Sequence, residues 1–94
     1  MIQRIVKLTF KEEHAEEFAQ FFTEVKTRIE SNKGCNEVRL LRDVNNRNIF
    51  FTYSFWDTED DINTYRKSEL FGMVWPKVKK WFDDKPEAWS VELL

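Results

Sequence analysis

This sequence predicts an α+β domain with the element order β-α-β-β-α-β, on three observations. Both ends of the chain alternate side chains with a period of two, one long internal stretch repeats apolar residues at spacings of three and four, and a polar turn separates two strand-like runs in the middle. Period two marks a strand, and the three-and-four spacing marks an amphipathic helix.

The first strand covers Ile2–Phe10, with Ile2, Val6, Leu8 and Phe10 on one side and Gln3, Lys7 and Thr9 on the other. Ala15, Phe18, Phe22, Val25 and Ile29 form the stripe of the first helix, which Asn32-Lys33-Gly34 ends, with Gly34 suited to a left-handed cap. Cys35–Arg42 reads as a second strand. Asp43–Asn48 is a turn, because Asn and Asp tolerate positive φ and bond to their own backbone. Ile49–Trp56 is the third strand, joined to the second as a hairpin. Asp57 or Thr58 caps a second helix running to about Ser68, with Thr58 and Asp61 at capping-box spacing. Pro76 lacks an amide proton and crowds the residue one turn back, so a break is expected across Gly72–Trp75, then a short helix through Phe82. Asp83–Pro86 is a loop, and Ala88–Leu94 alternates as a last strand. That order is the ferredoxin-like split motif: a four-stranded antiparallel sheet with two helices on one face.

The 94 residues fit one domain, 1–94. Nine Phe, four Trp and two Tyr are more aromatic surface than so thin a core hides comfortably, so a pocket or a partner is expected to take the excess. Strand three carries Ile49, Phe51, Tyr53 and Phe55 on one face and Phe50 and Trp56 on the other. An antiparallel sheet with a solvated face alternates more cleanly. The uncovered face is therefore expected to pack against a second copy, giving a homodimer.

A net charge of −2 with mixed signs offers no basic stripe for phosphates, and strand three lacks the glycine-containing basic signature of an RNA-recognition sheet. Nucleic acid is not an expected partner. One cysteine and one histidine exclude a disulfide framework and a CxxC metal site. The N-terminus has no continuous signal-peptide core, and no apolar run approaches the ~20 residues of a membrane span, so a cytoplasmic location away from membranes is expected.

Three local patterns together resemble the antibiotic-biosynthesis-monooxygenase family of dimeric α+β barrels, over roughly residues 2–93. Gly34-Cys35 followed by Leu40-Leu41-Arg42-Asp43 looks like the family's "E-x-G-C … L-L-R-D" segment. Phe50–Trp56 running into Asp57–Asp61 looks like its "E-x-W" strand end, and Tyr65-Arg66-Lys67-Ser68-x-x-Phe71 is similar to "H-x-x-S-x-x-F". The chain departs at Ser54, where the pattern has Glu, and at Tyr65, where it has His. The resemblance implies a dimeric barrel that uses O₂ on a quinol or polyketide anthrone without metal or flavin, so no cofactor is expected. In the haem-degrading branch the functional Asn, Trp and His would fall at Val6, Tyr65 and Trp75 here, which leaves no proximal iron ligand.

Such chemistry asks for an apolar pocket, a place for the substrate's proton and a polar contact for its anion. Tyr65 is the candidate catalytic residue, its hydroxyl holding a substrate oxygen; a plain core tyrosine would look the same. Trp56, Trp75, Tyr53 and Asn36 are candidate substrate contacts, with Trp75 closing the mouth from the expected helix break and Asn36 contributing only if it faces inward. His14 reads as a surface residue and Cys35 as a small buried hydrophobe. The alternative is a non-catalytic dimeric barrel that binds a small apolar ligand, which the absence of the Glu and the His favours.

Overall fold

A computed structural model describes residues Met1–Leu94. Strands β1 (Ile2–Thr9), β2 (Cys35–Arg42), β3 (Ile49–Trp56) and β4 (Glu87–Val91) pair antiparallel in the order β2-β3-β1-β4. Helices α1 (Ala15–Glu30), α2 (Glu59–Arg66) and α3 (Glu69–Lys79) pack over one face of that sheet, and a 3-10 turn at Glu12–His14 leads into α1. The sheet stays open at both edges: a single chain closes no barrel.

Register assigns the two faces. Leu8 pairs with Phe50, Val6 with Thr52 and Arg4 with Ser54, so these residues lie under the helices. Phe18, Phe22, Val25 and Ile29 of α1 descend on that face beside Phe10, Val38 and Phe50 to form the main core. The other face carries Ile5, Leu41, Ile49, Phe51, Tyr53 and Phe55 with Trp89 and Val91 from the edge strand. On it, Arg39 lies over the Phe55 ring at 5.7 Å and pairs with Glu37 at 2.9 Å.

Three local expectations change. The helix expected to break across Gly72–Trp75 breaks instead at Lys67–Ser68. There the Ser68 hydroxyl accepts the Phe71 amide at 3.2 Å, capping a new helix that runs unbroken through Pro76. The proline is tolerated because Gly72, whose carbonyl loses its intrahelical partner, and Pro76 itself both face water. Gly34 does adopt φ +83°, but α1 already ends at Ser31, and the glycine serves the turn beyond it. Thr58 caps α2 by accepting the Asp61 amide at 3.1 Å. The last strand is shorter than expected, Glu87–Val91 rather than Ala88–Leu94.

Candidate functional site

The capped break between α2 and α3 positions a cavity of about 290 Å³, lying between those helices and the covered face of the sheet. The main core under α1 forms one wall. The other is a continuous aromatic run: Trp56 stands 5.4 Å from Tyr65, Tyr65 5.4 Å from Phe71, and Phe71 stacks on Trp75 at 5.6 Å with planes 11° apart. Phe71 and Trp75 are four apart on α3, so a continuous helix is what superimposes them. A break there would have separated the two rings.

Trp56 is 2 % exposed, and its indole N–H donates to Ser54 Oγ at 2.9 Å. Tyr65 is half-buried, and loss of hydration, followed by the charge of Cys35, pushes its phenol up to about 12. At neutral pH it is therefore a hydrogen-bond donor and no base. The Cys35 thiol is itself pushed up to about 11, first by burial and then by Glu30. No Asp, Glu or His lines the cavity. No group of three or more His, Cys, Asp or Glu side chains is placed to hold a metal ion. His14 sits apart, bonded through Nδ1 to Glu17 at 2.8 Å and stacked near Trp81.

Of the five residues singled out from sequence, Tyr65, Trp56 and Trp75 converge on the cavity. Tyr53 and Asn36 do not. Tyr53 alternates onto the opposite face of the sheet, where its ring meets Phe55 at 4.8 Å. Asn36 is exposed and structural: its amide donates to Asp57 Oδ1 at 2.9 Å and to the Gly34 carbonyl at 3.3 Å, tying β2 to the start of α2. Trp75 lines the cavity from within α3 rather than folding over it from a loop. Sequence reasoning missed Arg4, Arg66 and Phe71 in the lining. Arg4 had a signal, since it places a charge on the side of β1 that is otherwise apolar.

A four-stranded antiparallel sheet with an aromatic cavity on its covered face defines an α+β domain of the ferredoxin-like class. The model of the antibiotic biosynthesis monooxygenase family matches residues 1–74, and the chain belongs to that family. Among solved structures, one of an antibiotic biosynthesis monooxygenase superimposes with a TM-score of 0.92 at 14% identity, covering 100% of this chain and 99% of that one. A conserved protein from Methanosarcina mazei Go1 gives 0.89 at 19% identity, over 96% of this chain and 89% of its own. A conserved protein of unknown function from Bacteroides thetaiotaomicron gives 0.82 at 16% identity, over 96% of each chain. At these identities the likeness is one of fold. No curated protein matches the chain. No helix is long and apolar enough to cross a membrane.

Proposed function

We propose that this chain is a monooxygenase that uses O₂ on an electron-rich aromatic, such as a quinol or polyketide anthrone, without metal or flavin. The observation that carries the reading is the aromatic-walled cavity with the protonated Tyr65 phenol at its wall, in a chain of this family. An anthrone oxidised at its methylene loses a proton to water. The resulting anion gives one electron to O₂, the radical pair joins as a peroxide anion that takes a proton back from water, and elimination of water from the hydroperoxide leaves the new carbonyl. One oxygen atom enters the product and the other leaves as water. Tyr65 donates a hydrogen bond to the anionic substrate oxygen, and the apolar ring system lies against the wall that Trp56 and Trp75 belong to. The open face, with Phe51, Tyr53 and Phe55, packs against a second copy, in keeping with the family's dimeric fold.

The test is oxygen consumption over a panel of quinols and anthrones, comparing the parent with Tyr65→Phe. A hydrogen bond to a developing anion is worth about 1.5–3 kcal/mol, so the substitution should slow turnover roughly ten- to a hundredfold. Robust parental turnover that ignores the substitution removes Tyr65 from the mechanism. A specific observation favours a second reading, a non-catalytic dimer that binds a small apolar ligand: the cavity holds no carboxylate or imidazole to take a proton. Binding of aromatics without oxygen uptake across the panel would select it.

A further inference from the structure

One row of the covered sheet face is polar. Ser90 of β4, Arg4 of β1 and Ser54 of β3 pair side by side across the strands, between the Ala88–Val6–Thr52 row and the Ile2–Trp56 pair. Every other residue that β1 turns towards the helices is Ile, Val or Leu. Arg4 is half-buried there, so its guanidinium loses part of its hydration, and an anionic partner would offset that loss.

Arg4 is poorly paired within the chain. Its Nη1 donates to the neutral Ser90 hydroxyl at 3.0 Å. Neither Arg4 nor Arg66, the last residue of α2, takes part in any of the chain's ion pairs. Both line the cavity. Burial, then repulsion from Arg66, holds the Arg4 guanidinium below its ordinary range, and only Glu59 opposes this, from beyond ion-pair distance. Ser54, directly across from Arg4, already accepts the Trp56 indole proton and brings no charge. Two mutually repelling cations thus share the lining of an apolar chamber that contains no anion.

We propose that Arg4 and Arg66 form a carboxylate clamp, and that the cavity's ligand is an aromatic acid whose ring lies against Trp56, Tyr65 and Trp75 while its carboxylate lies between the two guanidiniums. The planar fork of arginine matches a carboxylate in two parallel hydrogen bonds, and the charge of the ligand offsets the repulsion between the two side chains. The assignment rests on the ligand-cavity reading above and narrows its substrate class to anionic aromatics.

Calorimetric titration with 1-naphthoate and with 1-naphthamide, which has nearly the same shape and no charge, tests it. The parent should bind the acid at least tenfold more tightly than the amide. Arg66→Gln, at an exposed helix end, and Arg4→Gln should each weaken naphthoate at least fivefold. Both should change naphthamide much less than naphthoate, and circular dichroism of each variant reports an intact fold. Equal affinity of the parent for acid and amide overturns the clamp and leaves the apolar cavity standing. An acid preference that survives both substitutions overturns the assignment to these arginines. Failure of the parent to bind either compound overturns the clamp and counts against the cavity reading as well.

Discussion

The indole N–H of Trp56 donates to the Ser54 hydroxyl at 2.9 Å, from a position two residues further along the same strand and on the same covered face. Ser54 is only 7 % exposed, so the pair closes on itself without water. It fixes the indole as the cavity's inner wall. Where the family pattern carries Glu before its Trp, this chain keeps the acceptor and discards the charge. The positive charge of Arg4, on the paired strand, therefore goes unanswered at that position.

Replacing Ser54 with Ala leaves that buried N–H without a partner. The loss should be about 1–3 kcal/mol, the cost of an unsatisfied buried donor. Urea unfolding monitored by tryptophan fluorescence reads it, and an unchanged midpoint would show that the hydroxyl contributes nothing net.

The two glycines should respond to alanine in opposite directions. Gly34 has φ +83°, and a Cβ there would run into the Asp61 side chain. Gly34→Ala should cost about 2–4 kcal/mol, from the left-handed backbone and the displaced helix start together. Gly72 lies inside α3, and a methyl group added there would meet nothing within 4 Å, so Gly72→Ala should stabilise by about 0.5–1 kcal/mol. Thermal melts of the two variants beside the parent distinguish them, and two shifts of the same sign would contradict the geometry.

Alkali should weaken the fold through two identified groups. Cys35 rises from 9.0 to about 11, and Tyr65 from 10.0 to about 12. Each holds its proton more tightly folded than unfolded, so its contribution is complete below the unfolded value and is lost as pH rises through the folded one. Stability should fall from pH 9.0 to about 11 through Cys35, and on towards about 12 through Tyr65. Denaturant midpoints across that window, for the parent and for Cys35→Ala, check the sign; the variant should lose the lower part of the slope. For the same reason the thiol should react slowly with alkylating reagents near neutral pH.

The open sheet face should govern assembly. Light scattering after size exclusion should give the parent about twice the 11.5 kDa chain mass at micromolar concentration. Phe51→Lys, which puts a charge in the centre of that face, should give the single-chain mass while naphthamide binding persists. A monomeric parent would remove the dimer from the proposed function.

Local patterns determined most of the architecture. The alternation of Ile2–Phe10, the α1 stripe from Ala15 to Ile29 and the cap at Thr58 are each decided within a few residues, so they can be read along the chain. Trp56 and Tyr65 are legible as site candidates from the motifs that carry the family resemblance, whereas Trp75, singled out from an expected helix break, lines the cavity from within a continuous helix. Tyr53 was misplaced because naming a strand does not say which of its faces the helices will cover; one residue of register moves a side chain through the sheet. The helix break falls at Lys67–Ser68 instead because the carbonyl that Pro76 frees is exposed at Gly72, which lowers the cost of the proline, and solvent exposure is a tertiary property. The polar row of Ser90, Arg4 and Ser54 and its approach to Arg66 join residues up to 86 positions apart in the chain. Arg4 alone is marked locally, as the one charge on its side of β1; the row itself exists only once three strands have chosen their partners and α2 has closed over them.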